Sequence, residues 1–245
     1  MYKVSIITVC YNSQSTILDT IKSVNNQNYK FIEHIFIDGK SEDNTVNIIK
    51  KNSNLNTILI SEKDCGIYDA MNKGIKLASG EIILILNSDD MFYKEDTLNK
   101  IVEVFVTNKN IDLVYGNLII TKKNRILRKW RSGKYIRDSF LKGWCPPHPA
   151  FVVKKKVYEK YGDFNLKYKY AADIDLMFRF LMKFNCKYYY LDEILINMKA
   201  GGVSNNLKNI ILQNIENINI FKNNEKFSIF TFFLWKFIHR LKQFI

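Results

Sequence analysis

The feature that most constrains this chain is a repeat: a short β-branched run, a polar turn, an amphipathic stretch, then another run. Residues 4–9 (VSIITV) read as a buried parallel strand, and Asn12 and Ser13 lead into Ile17, Leu18, Ile21 and Val24 at helical spacing. Residues 33–38 (EHIFID) form a second strand closed by Gly39, and a capped helix carrying Val46, Ile48 and Ile49 is expected from near Ser41. Residues 57–60 give a third strand. Residues 67–78 predict a helix with Ser79-Gly80 as its C-cap, and residues 81–86 (EIILIL) are the fourth and most apolar strand. This alternation predicts an α/β fold: a doubly wound, mixed but mainly parallel sheet flanked by helices.

Composition removes several alternatives. A chain of 245 residues suffices for one large domain or two small ones, and 47% hydrophobic with 25% charged residues excludes wholesale disorder. No run approaches the roughly 18 uncharged apolar residues of a spanning helix. The start, MYKVSIITVCYNSQS, enters a strand directly, so neither a secretory signal nor a transit peptide is expected. Cys10, Cys65, Cys145 and Cys186 are scattered and read as free thiols of a reducing cytoplasm; His34, His148 and His239 add no local zinc pattern. Neither GxGxxG nor GxxxxGK[ST] occurs, so a nucleotide would have to be held in another way. The 37 basic and 24 acidic residues leave a net charge of +13, which suggests an anionic partner.

In doubly wound sheets ligands sit outside the carboxyl ends of the strands. The residues there are 8–12, Asp38, 62–64, and Asn87-Ser88-Asp89-Asp90. Two adjacent carboxylates at the rim of a buried sheet repel unless a cation offsets them. Hard oxygen ligands suit Mg2+ or Mn2+, held by one or two carboxylates and substrate phosphates. Asp89 and Asp90 are the candidate metal ligands; the plainer reading is an Asp-rich turn before a helix beginning near Lys94.

The blocks VSIITVCYN, FIDGKSEDNT and SEKDCGIYDAMNKGIKLASGEIILILNSDD resemble the nucleotide-sugar half of family 2 glycosyltransferases of the GT-A fold, inverting and non-processive. PPHPAFVVKKKVYEKYGDFNLKYKYAADIDLMFRF resembles the acceptor half, and together the blocks cover roughly residues 3–200. The resemblance implies a GT-A domain over residues 1–205, with a donor half of about 1–117 and an acceptor half of 118–205, and a C-terminal helical segment over 206–245. It places Thr8 and Tyr11 at the nucleobase, Asp38 on the uracil imide, Asn87 on the ribose and Asp89 on the metal with Asp90 beside it. Asp64, Asn72 and Ser88 join the donor-binding set, and Lys73 is a candidate for neutralising the diphosphate. Gly39 departs from the commoner Asp-Asp pair, and Met71 stands where many relatives have Arg.

On the acceptor side the resemblance makes Asp173 the general base, with Asp175 its rival; as a plain structural residue Asp173 would be a first-turn acid favoured by the helix dipole. The chemistry asks for one base to take the acceptor proton as the hydroxyl attacks the sugar C1, with inversion. All three prolines lie in Cys145-Pro146-Pro147-His148-Pro149, a stiff segment that either links the halves or sets His148 at the floor of the site. Trp144 reads equally as a sugar platform and as a core residue.

Residues 122–160 hold thirteen Lys or Arg against Asp138 and Glu159. The stretch from Phe227 is strongly apolar, yet Lys236, His239, Arg240 and Gln243 share one helical face. That pattern suits a helix in an anionic membrane interface; the alternative is packing on the domain or on a second copy as a homodimer. The expectation is therefore a metal-dependent transferase of a hexosyl or N-acetylhexosaminyl group, peripheral on the inner face of the cytoplasmic membrane. It would use a nucleotide sugar, with UDP favoured over dTDP or GDP by resemblance around Asp38, and a lipid-linked or polysaccharide acceptor. The lack of a transmembrane bundle and of QxxRW argues against a processive synthase, and no nucleic-acid module is present. Gly39, Met71 and Asn87 motivate the other reading, a catalytically silent membrane-associated scaffold.

Overall fold

A computed structural model describes residues 1–54, 56–123, 125–201 and 207–244. The first half alternates β1 (Val4–Cys10), α1 (Ile17–Asn25), β2 (Ile32–Asp38), α2 (Thr45–Asn52), β3 (Thr57–Ser61), α3 (Ile67–Leu77) and β4 (Ile82–Ile85). It continues through β5 (Asp90–Phe92), α4 (Thr97–Thr107), β6 (Leu113–Lys122) and β7 (Arg125–Trp130). Then come β8 (Phe151–Lys154), α5 (Lys155–Tyr161), α6 (Ala172–Phe178), β9 (Tyr188–Lys199), α7 (Leu207–Phe221) and α8 (Ile229–Leu241).

These strands form one sheet in the order β3-β2-β1-β4-β8-β6-β9-β5, with β7 paired to β6. Strands β1, β2, β3, β4, β6 and β9 run one way, and β5, β7 and β8 the other. The chain steps outward from β1 to β3 and then returns to β4 on the far side of β1. That reversal opens a crevice at the carboxyl ends of β1 and β4, where such folds bind ligands.

The apolar runs are explained by burial on both faces. Ile83 and Ile85 face one core with Ile7, Val9 and α3; Ile82 and Leu84 face the other with Val4, Ile6 and α4. A fully buried Ile or Leu contributes about 1.5–3 kcal/mol, so these strands tolerate little polarity until they end.

Local details differ from the sequence expectation. Helix α2 begins at Thr45 and not near Ser41, because Ser41 is held in a turn by Asp38. Ser79-Gly80 is no left-handed cap: α3 ends through Ala78 at φ −58°, ψ 128°, and the Ser79 and Gly80 N–H groups bond to Glu33. Strand β5 was not anticipated, since its pairing partner β9 lies more than a hundred residues on. All four cysteines are free. No helix of the described residues is long and apolar enough to cross a membrane.

The C-terminal helices pack on the domain. Phe221 of α7 and Phe232 of α8 are buried with Phe178 and Phe140. The basic face expected at headgroups is partly turned inward: Lys236 Nζ donates to Asn214 Oδ1 at 2.6 Å, and the Gln243 carbonyl accepts the Lys129 N–H at 2.9 Å. The opposite face, with Phe230, Phe233, Leu234, Phe237, Leu241 and Phe244, is exposed.

Candidate active site

Four polar strand ends meet at one edge, but their side chains divide into those that face the crevice and those that hold its walls. Tyr11 follows β1 directly and is 61% exposed. A Cβ on Gly39 would lie 2.7 Å from Asp64 Oδ2 and 3.4 Å from the Tyr11 ring. A side chain at position 39 would require the Asp64 carboxylate to shift from this spot. Asp64 is itself steadied by the Gly66 N–H, 2.9 Å from Oδ1.

Asp38 and Thr8 do not join them. Asp38 is fully buried; its carboxylate accepts the Ser41 N–H at 2.9 Å, the Ser41 hydroxyl, and the Ser61 hydroxyl at 2.6 Å. The acid expected on uracil is committed to shaping the β2–α2 turn. Thr8 lies inside β1, which runs two residues past it, and its hydroxyl bonds to buried His34 Nε2 at 2.9 Å. Burial holds that imidazole down at about 3, so it is neutral at physiological pH.

After β4 the chain turns through Asn87, Ser88 and Asp89. The Ser88 and Ser13 hydroxyls, 2.9 Å apart, tie this turn to the β1–α1 loop. Asp89 is half-buried, and burial pushes its carboxyl up, with Lys199 opposing. Asp90 is fully buried in β5: its Oδ2 accepts Asn87 Nδ2 at 3.0 Å, while its Oδ1 and the Asn87 Oδ1 have no partner. Burial and the neighbouring Asp89 charge push Asp90 strongly up. Alternation along β5, set by its ladder to β9, turns this residue inward, which removes it from the expected metal pair.

The donor set can therefore be tested for a metal. Among the described residues no three acidic, His or Cys side chains stand together. Asp89 is an under-compensated carboxylate at the rim, and one carboxylate with substrate phosphates and water is how Mg2+-type ions are commonly held. Asp89 is partly exposed where such an ion would sit, while Asp90 is enclosed behind it with its Oδ1 unpartnered.

On the acceptor side Asp173 lies in the first turn of α6, half-buried. Its Oδ1 accepts the Tyr68 hydroxyl at 3.0 Å and the Ile174 N–H at 2.9 Å. His148 is buried with its ring edge-on to Phe164, centroids 5.4 Å apart; burial lowers its imidazole and the Asp173 charge opposes this. The loop ahead of Asp173 is gripped by α7. Glu216 accepts the N–H groups of Lys169, Tyr170 and Ala171 at 2.9, 2.8 and 2.8 Å, and Gln213 donates to the Tyr170 carbonyl at 3.1 Å. Asp175, the rival, is paired with Arg179 at 2.8 Å.

Three expected contacts are otherwise engaged. Both amide atoms of Asn72 bond the backbone of Phe164 at 2.9 Å, so Asn72 ties α3 to the segment between α5 and α6. Lys73 pairs with Glu62 at 2.7 Å and donates to the Lys63 carbonyl, away from the diphosphate role. Trp144 donates its indole N–H to Ser132 at 2.6 Å and packs with Tyr115, Tyr135 and Phe140, which is the core role. Sequence reasoning missed Tyr68 and Glu216. The only signal for Tyr68 was its place one helical turn before Asn72.

The family described as Glycosyl transferase family 2 matches residues 5–183. A PGL/p-HBAD biosynthesis glycosyltransferase of Mycobacterium bovis is 30% identical over 207 residues, 83% of this chain and 79% of that protein. The UDP-Glc:alpha-D-GlcNAc-diphosphoundecaprenol beta-1,3-glucosyltransferase WfaP of Escherichia coli is 30% identical over 218 residues, 87% of this chain and 84% of its own length. Among solved structures, S. aureus TarS 1-349 in complex with UDP-GlcNAc is similar in fold, with TM-score 0.68 and 16% identity over 96% of this chain and 73% of that one. The chain spans 40% of the longer TarS chain.

Proposed function

Since the chain belongs to glycosyl transferase family 2, we propose that it moves a single sugar, hexosyl or N-acetylhexosaminyl, from a UDP-sugar to a hydroxyl of a lipid-linked or polysaccharide acceptor, with inversion. The UDP-Glc donor and diphosphoundecaprenol acceptor named for the E. coli relative support both halves of this reading. The observation that carries it is the geometry of Asp173, a half-buried carboxylate bonded through Tyr68 to the helix that follows the crevice.

Tyr11 stacks on the uracil ring, and Asp64 supplies the carboxylate in the space that Gly39 leaves open. Asn87, in the turn after β4, is the residue assigned to the ribose. Asp89 would hold Mn2+ or Mg2+, which would offset charge on the departing diphosphate. The acceptor oxygen attacks C1 and its proton passes to Asp173. The C1–O bond to the β-phosphate breaks, and its electron pair leaves with UDP. His148 lines the floor beside the base. A single displacement needs no second nucleophilic carboxylate. Asp173→Asn is expected to lower turnover about 10²- to 10⁴-fold while UDP binding is kept; full turnover by this variant would overturn the assignment.

The reading includes a seat on the membrane. The outward face of α8 exposes Phe230 at 77% and Phe237 at 62%. No acid occurs from residue 226 to the end, nor from 113 to 137, where β7 meets the end of α8 through Lys129 and Gln243. Exposed aromatics rimmed by cations alone suit an anionic bilayer surface. The double variant Phe230→Ser/Phe237→Ser should stay in solution when the parent protein floats with phosphatidylglycerol vesicles; equal flotation would sink this part.

A further inference from the structure

We propose that Tyr68 is a positioning residue for the base: through it, helix α3 on the nucleotide side sets the orientation of Asp173 on the acceptor side. This rests on the reading of Asp173 given above. The two residues lie 105 positions apart, and the Tyr68 hydroxyl donates to Asp173 Oδ1 at 3.0 Å. The Ile174 N–H reaches the same oxygen at 2.9 Å. With both donors on Oδ1, the carboxylate is fixed in one orientation, and Oδ2 is the oxygen left to receive a proton.

The tyrosine is held firmly. Its ring stacks on Phe164 at a centroid distance of 5.4 Å and an interplanar angle of 26°. Phe164 is in turn clamped by Asn72, one helical turn beyond Tyr68 on α3. From the other side Glu216 grips the three backbone N–H groups just before α6. Burial and the Asp173 charge push the Tyr68 phenol well up, so it remains a protonated donor.

A buried phenol needs a partner, and a carbonyl would serve. Tyr115 and Tyr188 bond to the Gly133 and Tyr135 carbonyls. Tyr68 instead uses a half-buried carboxylate with an oxygen to spare. Other groups acting on this neighbourhood are Cys145 and His148 of the proline segment, Lys236 of α8 and Glu216 of α7.

The test is Tyr68→Phe, which keeps the ring and its stack, run beside Asp173→Asn in the full chain. Expected are a fall in kcat of roughly 10- to 100-fold, as for a misplaced catalytic group, and a donor KM and UDP affinity within about twofold. The acidic limb of kcat against pH should move to higher pH, since a carboxylate that loses a donor is protonated more readily. Site-specific 3-fluorotyrosine at position 68, a nearly isosteric and stronger donor, should move the limb the other way. Parent kcat with an unmoved limb in both variants would make Tyr68 a structural tie only and leave the base reading standing. Parent turnover in Asp173→Asn would instead remove the base reading and this proposal with it.

Discussion

After β4, half-buried Asp89 stands beside fully buried Asp90; in α6, half-buried Asp173 stands two residues before buried Asp175. Each pair thus has one half-buried and one buried acid, but the buried acids are satisfied differently. Asp90 meets only the neutral amide of Asn87, 3.0 Å away, and its carboxyl is pushed up. Asp175 meets the Arg179 guanidinium at 2.8 Å, and Arg179 also donates to the carbonyls of Tyr161 and Asp163 at 2.9 and 2.6 Å. A buried acid beside an amide relieves its burial by taking a proton. Removing one partner of a buried ion pair leaves the other uncompensated, so at this edge the fold depends on Arg179.

The largest test of this contrast is Arg179→Ala. It strands Asp175 and frees the Tyr161 and Asp163 carbonyls, and it should lower stability by about 3 kcal/mol or more in chemical denaturation. Retained stability would mean that the α6 pair is no more important than a surface contact. At the other edge the effects should split between neighbours. Asp89→Asn is expected to weaken Mn2+-dependent UDP binding by roughly 10- to 100-fold, and adding chelator to the parent protein should have the same effect, because on the proposed reading this carboxylate is the chain's share of the metal shell. Asp90→Asn, whose target is already held by a neutral partner, should change stability by less than about 1 kcal/mol and UDP affinity by less than about twofold. If Asp90→Asn lost metal-dependent binding as fully as Asp89→Asn, the inward placement of Asp90 would not describe the working site.

Much of the scaffold was legible because buried parallel strands leave a continuous apolar signature. Residues 4–9 and 81–86 announced β1 and β4, and the polar residues behind them marked the crevice edge. The loop that carries Asp173, the proposed base, was singled out by the resemblance alone. The reach of each polar side chain was not legible. Thr8, Asp38, Asn72 and Lys73 all sit in or beside the expected elements, yet their bonds go to His34, Ser41, Phe164 and Glu62. The tail was recognised as amphipathic, but its polar side turned partly inward, with Lys236 on Asn214.

By itself the sequence determined where the strands end and which acids lie at those ends, since hydrophobic periodicity is a local property of the chain. Only the tertiary structure decided which acid faces out. Asp90 turns inward because β5 pairs with β9, and Asp173 is braced because Tyr68 of α3 reaches it from 105 residues away and Glu216 of α7 holds Tyr170 just before it from 46 residues away. Pairing across such distances is settled by packing, which no local pattern encodes.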